Sequence, residues 1–376
     1  MRILLTFISI FHLLGLQAAA YYISPNGKDN HAGNRWFVPF RTFERAVSAL
    51  RPGDTLNIMK GDYFSDAEAI IDIDKSGREN AWIVVKNYLN HKPVLHVKTK
   101  YGVRLKSANY VSIEGLQIKP ESFYGGNQPV SDAELTGIFL DGSYGAPCRH
   151  IKIYNNYVLN FSGAGLLARY YDYLILSYNK FFRNGIGDNT YGAIYLDLGL
   201  NTDEKEIYHN FIQANTLEKN SLPDSGKTLP CKPFLYMRFD SAQAPHRDAR
   251  TLIHNNIAYT NGGGGILIEQ ATGVRIVHNT LYKNARQATC DWPEVEIRNC
   301  RNIDVQNNIF YPFDEKTASR VVLSDSVRFR NNLNYNTGLY VKGMNDVRTD
   351  PQFEDIREKE NLFNFRLKGN SPAINA

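Results

Sequence analysis

Cysteine is scarce in this chain. Only Cys148, Cys231, Cys290 and Cys300 occur in 376 residues, and their spacing matches no zinc signature. Lys/Arg-dense stretches are absent too, which argues against nucleic acid as a partner. Beyond residue 16 no apolar run is long enough to span a bilayer, so membrane insertion is excluded as an expectation.

The one long apolar run is at the start. Arg2 precedes Ile3 to Leu16, and Ala18-Ala19-Ala20 follows. This pattern predicts a secretory signal over 1–20, cut after Ala20, and a secreted or periplasmic protein. No cysteine follows the run, so a lipid anchor on cysteine is not indicated. Losing Arg2 with the signal takes the formal charge from +5 to +4. That mild basic excess is compatible with an anionic ligand without demanding one. An exported chain with an even number of cysteines permits disulfides. Cys290 and Cys300 flank a predicted strand and are too far apart to bond. Cys231 and Cys290 precede their strands at similar offsets, two repeats apart, and are the better pair.

What the chain does have is a repeated strand phrase. Val103-Arg-Leu-Lys106, Ile138-Phe-Leu-Asp141, Leu166-Leu-Ala-Arg169, Ile194-Tyr-Leu-Asp197, Leu235-Tyr-Met-Arg238, Ile266-Leu-Ile-Glu269 and Val295-Glu-Ile-Arg298 all read apolar, variable, apolar, charged. Such recurrence marks a repeat architecture. A second column, Asn155, Asn179, Asn210, Asn255, Asn279, Asn307 and Asn331, predicts stacked turn asparagines. A lone repeat cannot bury its apolar face, so the strands must stack between repeats. Ile138, Leu140, Ile194, Leu196, Ile266 and Ile268 then face inward, and the charged residues face out. The expected fold is all-β: a single-domain right-handed parallel β-helix, a solenoid, over 21–376. Phe43, Ala46, Val47 and Leu50 lie at helical spacing and predict a short capping helix within an N-terminal cap of about 21–60. The repeat breaks at Asp350, so a C-terminal cap is expected over about 350–376.

Particular segments carry a resemblance. Tyr21-Tyr-Ile-Ser-Pro-Asn-Gly-Lys-Asp, Pro39-Phe-Arg-Thr-Phe and Pro52-Gly-Asp-Thr-Leu open the chain, and Asp350-Pro-Gln-Phe with Phe365-Arg-Leu-Lys-Gly-Asn-Ser-Pro-Ala-Ile closes it. The chain resembles the pectate-lyase-like superfamily, in the branch with chondroitinase B, alginate lyases and family 9 pectate lyases. That resemblance implies a secreted polysaccharide lyase, acting on an acidic polysaccharide or oligosaccharide through the face that carries the charged column.

The column itself points to a site over Arg169, Asp197, Glu269 and Arg298, centred on Arg238. Seven exposed charges in line are poorly explained by stability, since exposed ion pairs contribute little. β-Elimination of a uronate needs its carboxylate neutralised, a base for the C5 proton and an acid for the leaving O4. Arg169, Arg238 or Arg298 can pair with the carboxylate. By resemblance to lyases that use Lys or Arg on this face, Arg238 is the first candidate base and Tyr236 the second. Tyr195 and Lys106 are candidate substrate contacts, with His246 in the loop after Arg238. Glu294-Val-Glu296-Ile resembles the calcium-binding Glu-x-Glu strand of the chondroitinase B and alginate lyase branch. That resemblance implies Ca²⁺ at Glu294 and Glu296, although Arg301 stands where the branch has Lys and Gly265 where it has Asn. Otherwise no cofactor is expected, and a monomer is. Two other readings stay open. Asp197 and Glu269, about 9.6 Å apart across two repeats, can serve an inverting hydrolase, though Arg238 between them is expected to hold both ionised. A non-catalytic carbohydrate-binding protein is the third, with a uronate epimerase as a variant.

Overall fold

The computed structural model describes residues 18–121, 134–187, 191–200, 210–213, 215–220, 231–239 and 251–374. Three parallel sheets of eleven, nine and ten strands form the body. Successive strands along the chain pass from one sheet to another, and each pairs with the equivalent strand of the next coil. This is a parallel β-helix. The sheets are called here the turn-side sheet (eleven strands), the charged sheet (nine) and the hairpin-side sheet (ten).

The alternating phrases form the charged sheet in the expected register. Lys106, Asp141, Arg169 and Asp197 are Cα partners in sequence, as are Arg238, Glu269 and Arg298. The expected inward residues are buried: Ile138, Leu140, Ile194, Leu196 and Ile268 are 0% exposed and Ile266 is 2%. Stacked aliphatic layers from all three sheets fill one continuous core.

Two polar ladders run through the turns. Asn156, Asn179, Asn215, Asn256, Asn279, Asn308 and Asn332 are all buried, and each donates its backbone N–H and side-chain amide to the Oδ1 of the next. The series ends on Asp346, whose Oδ1 accepts from Asn332 at 2.7 and 3.3 Å. This corrects the expected column. Asn179 and Asn279 are in it, but Asn156, Asn256, Asn308 and Asn332 replace their neighbours at 155, 255, 307 and 331, and Asn215 replaces Asn210. Asn155, Asn255, Asn307 and Asn331 instead turn the chain with φ of 54–56°. Asparagine tolerates that left-handed backbone better than most residues.

The second ladder has no counterpart in the sequence reading. Asn184, Asn220, Asn261 and Asn284 repeat the same bonds at another turn. It ends on Glu294, whose two oxygens accept from Asn284 N at 3.1 Å and Nδ2 at 2.6 Å. Both series therefore point their amide donors toward the C-terminal end and finish on a carboxylate. Aligned amide dipoles favour negative charge at the donor end, as they do at a helix N-terminus.

The stripe Phe43, Ala46, Val47 and Leu50 is buried against the core, on the helix Phe43–Ala49 and its C-cap. Thr42 caps it by accepting from Arg45 N at 3.3 Å, and Asp29 accepts from Arg41 N, Thr42 N and Thr42 Oγ1. At the other end, Phe353–Arg357 and Leu362–Leu367 form an antiparallel pair. Phe353, Phe363 and Phe365 pack on Tyr259, Tyr282 and Tyr311, so this hairpin lies on the outer face of the hairpin-side sheet. Tyr340 and Val341, earlier in the chain, pack against the main core.

Cys231 and Cys290 are bonded, with Cα atoms 5.2 Å apart, and Cys148 and Cys300 are free and buried. The bridge closes a loop of 59 residues. Constraint of the unfolded chain then stabilises the fold by about 4 kcal/mol. The double variant Cys231→Ser, Cys290→Ser is expected to lose most of that in urea unfolding. An unchanged midpoint would show that the bridge adds nothing to stability.

Candidate functional site

The charged column runs along the corner between the charged and turn-side sheets. Ser107, Tyr170, Leu198, Gln270 and Asn299, each following a column residue, have φ of 47–54°. A left-handed residue at that point swings the chain sharply into the next sheet, leaving the preceding side chain projecting from the edge. Arg238 is different. Its strand runs on to Phe239, and the register shifts between Leu196 and Gly199 on the Asp197 strand.

Most of the column charges have partners. Arg238 grips Asp197 with two bonds, Nε to Oδ1 at 2.7 Å and Nη2 to Oδ2 at 3.0 Å. Asp197 also accepts from Leu198 N at 2.9 Å. Hydrogen bonding to Asp197 raises the pKa of Arg238 further above its ordinary value. Arg298 bonds Glu296, which Arg320 also contacts at 3.4 Å. Lys106 lies 3.1 Å from Asp72, which Arg104 holds at 3.1 and 2.7 Å. Arg169 alone among the column's cations has, among the described residues, no carboxylate within ion-pair distance. It is exposed and donates to the Tyr191 hydroxyl at 3.0 Å.

Beside the column is a tyrosine group. Tyr195 and Tyr236 are Cα partners and stack with centroids 4.5 Å apart. Tyr191 meets Tyr195 edge-on at 4.8 Å. The Tyr236 hydroxyl donates to Glu269 Oε2 at 2.7 Å. Burial and that bond to Glu269 push the Tyr236 phenol well above its ordinary pKa, so it keeps its proton at neutral pH. Further down, Phe139, Leu167 and Tyr101 form a small apolar cluster with Tyr191 and Tyr195 packed against it.

No family model matches the chain, and no curated protein matches it by sequence. Solved structures do. Pectate lyase Pel9A superposes with a TM-score of 0.54 at 15% identity, over 95% of this chain and 91% of that one. A GH136 lacto-N-biosidase from Eubacterium ramulus superposes with 0.52 at 14% identity, over 84% of this chain. This chain spans 56% of that protein's length.

The fold is a pectate-lyase-like parallel β-helix.

On this β-helix the sequence-predicted residues divide into groups. Arg169, Tyr195, Asp197, Tyr236, Arg238 and Glu269 come together on four consecutive coils. Lys106 and Arg298 lie toward the two ends of the column, each in its own ion-pair cluster. His246 lies outside the described residues.

The calcium expectation does not fit the donor set. Both oxygens of Glu294 are taken by Asn284 inside the second ladder, and Glu296 is 1% exposed between Arg298 and Arg320. Strand alternation places Glu294 beside Glu296, but Glu294 precedes the strand and belongs to the turn. Arg238 does not suit the role of base, because its guanidinium is bound to Asp197 and its pKa is raised. Of the two carboxylates that Arg238 was expected to hold ionised, it contacts Asp197 and not Glu269 among the described residues.

Three residues near the site were missed. Asp72 and Arg320 extend the second outward column at its ends. Tyr191 precedes the strand phrase and had no signal in the repeat.

Proposed function

We propose that this chain is an exported enzyme that cleaves a uronate-containing polysaccharide by β-elimination. One observation carries the reading. Arg169, with no carboxylate in ion-pair contact among the described residues, stands two coils from a tyrosine whose hydroxyl is hydrogen-bonded to a carboxylate. Two coils are about 9.6 Å between backbones, a span an arginine side chain and a sugar ring can bridge.

Arg169 pairs with the uronate carboxylate and withdraws charge from C5. Glu269 takes the C5 proton, and the electron pair forms the C4–C5 double bond. The C4–O4 bond breaks, and Tyr236 gives its proton to O4. The 2.7 Å bond between the two side chains then lets Glu269 return the proton to Tyr236. Arg238 and Asp197 fix the neighbouring corner. No step runs through a metal. The reading includes a single β-helix domain over 21–376, acting as a monomer, with the helix Phe43–Ala49 as its N-terminal cap.

A hydrolase on Asp197 and Glu269 is the second reading. What favours it is that Glu269 has a neutral phenol as its partner and no bond to Arg238, which suits a general acid better than the sequence suggested.

The test is to incubate the protein with acidic polysaccharides, with and without Ca²⁺. Ultraviolet absorbance from unsaturated uronate ends is expected, together with its loss to below about one hundredth in Arg169→Ala. New reducing ends without that absorbance would replace the lyase by the hydrolase. Binding without products would leave a carbohydrate-binding protein.

A further inference from the structure

We infer that the site takes a heteropolysaccharide in which each uronate is flanked by neutral sugars, and rejects a continuous polyuronate. This rests on the reading above and names its substrate class. Lys106 is matched by Asp72, Arg238 by Asp197 and Arg298 by Glu296. Arg169 remains as the one column cation without an ion pair among the described residues. Against it stand two column carboxylates, Asp141 and Glu269, without a cation in ion-pair contact among the described residues. A single substrate carboxylate can be matched at Arg169.

A polyuronate brings one carboxylate per sugar, and sugars repeat at close to the spacing of the coils, about 4.8 Å. Seated along the column, its neighbouring carboxylates would fall beside Asp141 on one side of Arg169 or Asp197 on the other. Like charges at such distances repel, and more strongly where water is partly excluded. The adjoining column offers no relief. From Phe139 through Leu167, Tyr195 and Tyr236 to Leu267 it holds no cation. Tyr191 and Tyr195 suit the apolar faces and hydroxyls of neutral sugars instead. The segments outside the described residues are net acidic by sequence. Between 122 and 250 they hold eight Asp or Glu against four Lys or Arg.

Calorimetry on the mature protein separates the cases without needing turnover. The probes are a tetrasaccharide with one glucuronate among neutral sugars, a tetragalacturonate and a tetraguluronate. The mixed probe is expected to bind at least about ten-fold more tightly than either tetrauronate. Arg169→Gln is expected to remove that preference. Equal or tighter binding of a tetrauronate would overturn the inference, as would no binding of the mixed probe. Formation of unsaturated ends is scored separately on the same samples. Its absence beside the expected binding order counts against the lyase reading alone. Its presence with the reverse order counts against this inference alone.

Discussion

Tyr236→Phe is expected to lower kcat at least about 100-fold on the polymer the protein cleaves best, with KM nearly unchanged. The substitution removes one oxygen. The ring that stacks on Tyr195 at 4.5 Å stays in place, so the local fold should survive. What is lost is the donor 2.7 Å from Glu269 and, with it, the proton for the departing O4. A general acid contributes typically 10²–10⁴-fold, and the leaving sugar alkoxide is a poor leaving group without one. The stability loss should be only about 1 kcal/mol, the ordinary net value of one hydrogen bond. Thermal unfolding and kcat measured on the same preparation separate the two effects. Full kcat in this variant would remove Tyr236 from the chemistry. Glu269→Gln should fall by a similar factor, because the amide cannot take the C5 proton. If only one of the pair matters, the proton return between them is wrong.

Glu294 is expected to make the protein lose stability as pH rises from about 4.5 to about 7. Burial pushes its carboxyl up to about 7, against an ordinary value of 4.5, and the bonds from Asn284 only partly oppose this. A raised folded-state pKa means the folded chain holds the proton more tightly than the unfolded chain. Its stabilisation is complete below about 4.5 and is lost as pH rises through about 7, a change of about 3 kcal/mol. Carboxylates held below their ordinary values, such as Asp72 and Glu358, act only at lower pH. His254, lowered by burial and by His278, gives an opposite slope below its ordinary 6.5. It is unchanged by mutation at 294, so subtracting the two profiles isolates Glu294. Glu294→Gln should abolish this loss between pH 5 and 7.5 in urea unfolding and leave the opposite slope of His254. The amide cannot accept at both atoms, so the variant should also lose about 1–2 kcal/mol at pH 5. Parallel profiles for the two proteins would mean that the carboxyl does not titrate in this window.

The strand phrase made the charged sheet readable, because period-two alternation fixes which residues face in and which align between coils. It also gave the Cys231–Cys290 pair. The ladder positions were harder. In Asn155-Asn156 or Asn307-Asn308 both residues can turn or stack, and spacing alone does not say which does. Tyr178-Asn179 and His278-Asn279 do say, since only their second residue is an amide able to continue the series. The partners of the column charges were not readable, because side-chain direction at a corner depends on backbone twist. Arg238 turns toward Asp197 across a register shift, and its equally near neighbour Glu269 goes to Tyr236. That choice moved the proposed chemistry off Arg238 and onto the tyrosine.

The acidic end of the longer asparagine ladder limits how such a chain can lengthen. A new coil added beyond Asp346 would have to present an acceptor to a carboxylate that has no amide to donate. Insertion between two asparagines meets no such obstacle, because an inserted asparagine accepts from one neighbour and donates to the next. Growth by duplication should therefore occur within the array, with the terminal carboxylate carried along as a fixed end piece. A duplicate of the coil holding Asn256 and Asn261, spliced before Asn279, is the insertion this molecule is built to accept.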